Sequence, residues 1–307
     1  MRPLLFSSGN NPLVNASQLK THNSKLKTAM KRSSTTPAPM FDAYSPPQIA
    51  IRVREVGVAK ATAPLLTMLA LAMLAGAFIS LGALFYTVTV TIGGADTAAS
   101  FGLVRLAGGI TFSLGLVLVV VGGAELFTGN NLIAMAWATG RITTNQVIRN
   151  WVWVYLGNLL GALGTVVLVL MAGIHTLGDG AVGEMMVRIA RAKVSLDPMS
   201  ALARGVLCNV LVCLALWLCM GARGVADKIL AIVFPISAFV ACGFEHSVAN
   251  MYFLPVGLVL SVASPMPVSL SGALSNLALV TIGNILGGTI LVALVYWFVY
   301  LRGPEEQ

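Results

Sequence analysis

Gly123-Ala-Glu125-Leu-Phe-Thr128-Gly-Asn130 and Gly243-Phe-Glu245-His246-Ser-Val-Ala-Asn250 decide how this chain is folded. Both read Gly-x-Glu with an Asn five residues after the Glu, and they stand 120 positions apart. A second pair follows in the same order, Gly157-Asn158-Leu-Leu-Gly161-Ala162 and Gly283-Asn284-Ile-Leu-Gly287-Gly288, offset by 126. One such match is within the reach of chance, but two in register make the chain a pair of homologous halves.

All four strings lie in apolar surroundings. The 307 residues are 57% hydrophobic and only 10% charged, against about 25% charged in an ordinary soluble domain. Uncharged runs of 35 residues (61–95), 29 residues (150–178) and 56 residues (246–301) exceed the roughly 20 needed to cross a bilayer. Six spans account for them, near 64–90, 106–139, 151–174, 203–222, 229–262 and 273–301. Three spans per half is an odd number, so the halves are inverted with respect to the membrane and the solute path runs between them near the midplane. The expected fold is an all-α integral membrane protein with six transmembrane helices in two inverted three-helix repeats, about 45–175 and 200–302.

Glu125 and Glu245 are the only acidic residues inside these spans, and burying each costs several kcal/mol unless it is hydrogen-bonded or neutral. The uncharged stretches 126–140 and 229–244 are too short to cross alone, and Gly122, Gly123, Gly129 and Gly243 let the backbone leave the helix. The second and fifth helices are therefore expected to be broken, with Glu125, Glu245, Asn130 and Asn250 as structural ligands at the breaks. His246 is the only histidine in a span and sits beside one break, where its charge can switch near neutral pH. Asn209 and Asn250 are candidate hydrogen-bond partners for it.

The other charges give orientation. Nine of the 19 Lys and Arg residues fall at or before Lys60; with Arg141, Arg149, Arg223, Lys228 and Arg302 they put fourteen cations on one side against five on the other. That excess assigns both termini to the cytoplasm. No basic stripe with interleaved aromatics points to nucleic acid. Cys208, Cys213, Cys219 and Cys242 lie in spans without metal or paired spacing and are expected to pack. Residues 1–44 are expected to form a disordered basic cytoplasmic tail and 303–307 a short cytoplasmic one, flanking a domain at 45–302. Ser45-Pro46-Pro47 begins a short amphipathic helix at its start.

Gly122-Gly-Ala-Glu-Leu-Phe-Thr128, Gly140-Arg-Ile-Thr143, Gly243-Phe-Glu-His-Ser-Val-Ala-Asn250 and Tyr296-Trp-Phe-Val-Tyr-Leu-Arg302 resemble the formate/nitrite transporter family, with a likeness from about Ser45 to Arg302. The resemblance implies an aquaporin-like fold, a homopentamer in a bacterial cytoplasmic (inner) membrane, and a pore in each protomer for formate, nitrite, hydrosulfide or lactate. It also assigns positions: Phe112 and Leu116 to a cytoplasmic constriction, Phe239 with Asn209 and Val212 to the outer side of a filter, Thr128 to a hydroxyl facing His246, and Lys193 to drawing anions into the outer mouth.

The reading is a formate channel, passive or proton-coupled through His246, needing no cofactor and no metal. Gly129-Asn130-Asn131 is closer to nitrite-type members, so nitrite or hydrosulfide is the alternative. An intramembrane redox enzyme calls for paired histidines or a cysteine cluster, and an intramembrane protease for a nucleophile with its base or paired aspartates. Neither set is present in the spans.

Overall fold

The computed structural model describes residues 43–91 and 101–303, whose regular secondary structure is all helical, with no strand among them. Most of the two expected tails, 1–42 and 304–307, lies outside the described residues. In chain order the helices are α1 (Pro46–Thr62), α2 (Leu65–Thr91), α3 (Phe101–Gly122), α4 (Ala134–Ala138), α5 (Thr144–Met171), α6 (Ala181–Val194), α7 (Pro198–Gly221), α8 (Val225–Ala241), α9 (Ser247–Leu260), α10 (Leu270–Ile285) and α11 (Val295–Tyr300). A 3₁₀ turn, Gly129–Ile133, precedes α4, and a π-helical stretch, Leu286–Leu294, joins α10 to α11. Among the described residues five helical segments are long and apolar enough to cross a membrane: α2, α3, α5, α7 and the run from Leu270 to Tyr300. The fifth expected span, 229–262, is divided between α8 and α9, of 17 and 14 residues.

Local chemistry sets the helix starts. Thr143 caps α5 by accepting from Gln146 N–H at 3.3 Å while Gln146 Oε1 accepts from Thr143 N–H at 2.8 Å, a reciprocal capping box. Asp197 accepts from Ser200 N–H at 3.0 Å and is followed by Pro198, whose missing donor costs nothing in a first turn. Hydrogen bonds from Ser200 hold this exposed carboxyl below the usual range for an aspartate.

The halves correspond helix by helix. Lys60 in α1 and Lys193 in α6 are 133 apart, as are the first residues of α2 and α7, Leu65 and Pro198; Thr144 and Leu270, which open α5 and α10, are 126 apart. The second unit thus includes α6, which the sequence reading left in the connection before residue 200. α1, expected as a short amphipathic helix, and α6, to which no element was assigned, are equivalent amphipathic helices packed on the break of their own half. Arg54 lies on the buried face of α1.

The halves meet where α3 runs beside α8. Gly109 of α3 lies against the backbone of Ser237 of α8, and a β-carbon there would stand 2.7 Å from Ser237 Cα. No side chain separates the two helices at that point. Three of the four cysteines are buried as expected, but Cys242 is exposed at the end of α8.

Candidate functional site

Both breaks end a helix in the same way. Gly123 (φ +76°) and Gly243 (φ +73°) take the left-handed conformation that glycine adopts without steric cost. Ala124 N–H then donates to Val119 O at 2.9 Å and Phe244 N–H to Phe239 O at 3.0 Å, the six-to-one bond that closes a Schellman end. Beyond the glycine the backbone is unwound and needs partners, because an unpaired polar group in hydrocarbon costs several kcal/mol.

One asparagine per half supplies them. Asn158 accepts from Phe127 N–H at 2.9 Å and donates to Ala72 O (2.8 Å) and Glu125 O (2.9 Å). Asn284 accepts from Ser247 N–H at 2.9 Å and donates to Gly205 O (2.8 Å) and Glu245 O (3.0 Å). The glutamates turn outward from this backbone into ion pairs. Glu125 Oε1 lies 2.9 Å from Lys60 Nζ and its Oε2 accepts from Asn130 at 2.6 Å. Glu245 Oε1 lies 2.9 Å from Lys193 Nζ and its Oε2 accepts from Asn250 at 2.7 Å. Asn150 and Asn276 complete the two networks, each accepting from the Asn of the break and donating to the carbonyl of the lysine. Every break N–H named here is thus satisfied by the protein.

Lys193, expected in the outer mouth as a free charge, is therefore a paired one. Its nitrogen also stands 5.2 Å from the centre of the Phe253 ring.

The two break strings differ at five of their eight positions, and two of these carry the polar contact between the segments. His246 corresponds to Leu126 and Thr128 to Val248 by the offset of 120. Thr128 Oγ1 and His246 Nε2 are 3.0 Å apart, both buried, where the two broken segments approach. His246 also caps α9, its Nδ1 accepting from Ala249 N–H at 3.1 Å. A nitrogen that accepts carries no proton, so the single ring proton is on Nε2 and is donated to Thr128. The Thr128 hydroxyl hydrogen is left for another acceptor.

Two cavities flank this pair, built largely from equivalent positions. One, about 180 Å³, is lined by Lys193, Glu245, His246, Phe112 and Phe239, among others. The other, about 220 Å³, is lined by Lys60, Glu125, Leu126 and Val119, among others. Leu116, Thr128 and Val212 line neither and are 2%, 0% and 1% exposed. Phe112 and Phe239, assigned by the sequence reading to opposite sides of the filter, are in edge contact with centroids 5.5 Å apart and line the same cavity. Phe239 also stacks on the His246 ring at 5.9 Å. Asn209 does not bond to His246: its amide nitrogen reaches Asn284 O at 2.7 Å and Thr128 O at 3.2 Å, which braces the threonine loop. Among the described residues no group of His, Cys, Asp and Glu could hold a metal.

The family model for formate/nitrite transporters matches residues 47–298. The chain belongs to the formate/nitrite transporter family. It is 43% identical over 282 residues to the Formate channel FocA of Escherichia coli K12, covering 87% of this chain and 98% of the relative. With the Probable formate transporter of Methanothermobacter thermautotrophicus it shares 41% over 272 residues, 84% of this chain and 97% of the other. A solved structure described as a pentameric formate channel with formate bound superposes with a TM-score of 0.72 at 36% identity, covering 78% of this chain and 98% of that one. An FNT family ion channel does so at 0.71 and 31%, covering 82% and 96%. The cavities and breaks therefore belong to a membrane transport fold.

In this transporter Lys60, Asn150 and Asn276 join the site without being among the expected site residues, and Asn158 and Asn284 stand out in the sequence only as marks of the repeat. The Ala-Lys pair at 59–60 and 192–193 was the available signal. Arg105 and Arg204, which also line the Lys193 cavity, were counted only as charges for orientation.

Proposed function

We propose that this chain conducts formate across a bacterial cytoplasmic membrane through a pore in each protomer of a homopentamer, with both termini inside. The buried Thr128–His246 contact carries the reading: it is a polar pair where the two broken segments meet, in a chain 43% identical to a formate channel. Removing water from a monovalent anion is costly, so the apolar side chains of Phe112, Phe239 and Leu116 select against ions unless a donor replaces that water. The Thr128 hydroxyl is such a donor, oriented by the proton it receives from His246 Nε2.

Two modes fit this chemistry. In the first the anion takes the Thr128 hydrogen bond and passes charged. In the second His246 binds a second proton at Nδ1, gives up its bond to Ala249 N–H, and delivers a proton so that formic acid leaves. The second mode loses a helix cap worth about 1 kcal/mol, so it needs the anion's own charge to favour it.

Uptake of labelled formate into proteoliposomes, with nitrite, hydrosulfide and lactate as competitors, tests the substrate. Formate flux that nitrite suppresses only weakly is expected. Flux of nitrite or hydrosulfide with none of formate overturns the assignment.

A further inference from the structure

The Lys193 cavity holds two cations that the repeat does not duplicate. Arg105 lies on α3 and Arg204 on α7; by the offsets that relate the halves, their counterparts are Val225 and Leu71. The cavity around Lys193 is therefore lined by three cations and one carboxylate, and the one around Lys60 by one of each. Since Glu245 is taken by Lys193 at 2.9 Å, the excess charge resides on the two arginines.

Each arginine is held by only some of its fork. Arg105 Nε donates to Ala241 O at 3.0 Å and its Nη1 to Tyr86 Oη at 3.5 Å, and Arg204 Nη1 donates to Gly243 O at 3.4 Å, so the carbonyls reached are those of the last residue of α8 and of the break glycine. Among the described residues neither pairs with a carboxylate, and Arg105 Nη2 makes no hydrogen bond. The two forks face a common gap. A β-carbon at Gly243 would stand 2.8 Å from Arg105 Nη2 and 3.8 Å from Arg204 Nη1, so glycine leaves open the space between them. A planar guanidinium presents parallel donors that match the two oxygens of a carboxylate.

The geometry points to an anion subsite in which Arg105 and Arg204 bind a small planar carboxylate or oxyanion across Gly243, before it reaches the Phe112–Phe239 contact, and in which Lys193 is a structural partner and not the capturing charge. The inference rests on the transport reading above for its physiological use, and extends it to the step of capture. The bland alternative is that both arginines only cap carbonyls at the end of α8.

The test is concentration-dependent flux of formate and, separately, of nitrite through the reconstituted full chain, with the anion added from each side in turn. For Arg105→Gln/Arg204→Gln, the half-saturating concentration from the Lys193 side is expected to rise about ten-fold with maximal flux little changed, as loss of charge-assisted hydrogen bonds predicts. No such shift is expected from the other side. Arg105→Lys/Arg204→Lys, which keeps charge without the fork, should recover some of the loss. Unchanged half-saturation, or an equal shift from both sides, leaves the arginines as caps and overturns the subsite. Should neither double variant assemble, the exposed Arg204→Gln alone decides by the same criterion. A wild type that carries nitrite and not formate, with the one-sided shift seen for nitrite, sinks the formate assignment while upholding the subsite.

Discussion

Lys193 Nζ lies 2.9 Å from Glu245 Oε1, with the two side chains 13% and 6% exposed. A cation so paired contributes little attraction to a distant anion, but its removal leaves a carboxylate buried without a counter-charge. Breaking a buried pair in this way costs about 3–5 kcal/mol. Lys193→Ala is therefore expected to lower the melting temperature of the detergent-solubilised oligomer markedly, and Lys193→Ala/Glu245→Gln to restore much of it. A single variant as stable as the wild type, with flux reduced only at low ionic strength, would return Lys193 to the role of free attractant.

Asn158 and Asn284 each hold three backbone groups of an unwound segment. An unpaired buried donor or acceptor costs about 1–3 kcal/mol, so Asn158→Ala and Asn284→Ala should each destabilise the protein by several kcal/mol and by similar amounts. Thermal unfolding followed by size-exclusion measures this. A large effect in one half and none in the other would contradict their structural equivalence.

Thr128→Val keeps the volume and removes the hydroxyl, whereas Thr128→Ser keeps the hydroxyl. Formate flux is expected to fall at least ten-fold in the first, equivalent to about 1.4 kcal/mol, and to change little in the second. Equal flux in Val and wild type would mean that the hydroxyl donates nothing to the permeating anion.

His246→Asn tests the proton-linked mode. Asn is a good helix cap and can replace Nδ1 as acceptor for Ala249 N–H, but it does not titrate. If imidazolium is involved, wild-type flux rises as pH falls, since the charged ring forms only on the acid side, and the variant profile is flat between about pH 5 and 8. A variant that assembles and keeps the wild-type profile shows that the imidazole serves only as cap and hydrogen-bond donor.

The breaks were legible because glycine, glutamate and asparagine occur at them twice with one spacing, and an apolar span that contains a glutamate must find partners for it. Which partner was not legible. Lys60 and Lys193 are related by an offset of 133, the breaks by 120 and the Asn158–Asn284 pair by 126, so connections of unequal length hide the lysines from a comparison at a single offset. Nothing local to Lys193 announces that α6 carries it to Glu245, 52 residues away. Phe112 was misplaced relative to Phe239 for a related reason: their contact is made between α3 and α8, and only the way those helices lie side by side brings the rings to one cavity.

The contact of Gly109 with Ser237 also constrains how the molecule can move. In carriers that work by alternating access, one repeat rocks against the other around a fixed site. Here that motion would pull apart backbones already in van der Waals contact, and no flexible side chain lies between them to take up the displacement. Where the contact stays closed, motion is left to side-chain rotamers such as those of Phe112 and Phe239, which reorient in picoseconds to nanoseconds where unhindered, against microseconds to milliseconds for domain motion. A transport mode in which the repeats stay packed at this contact would run on the faster of these two timescales.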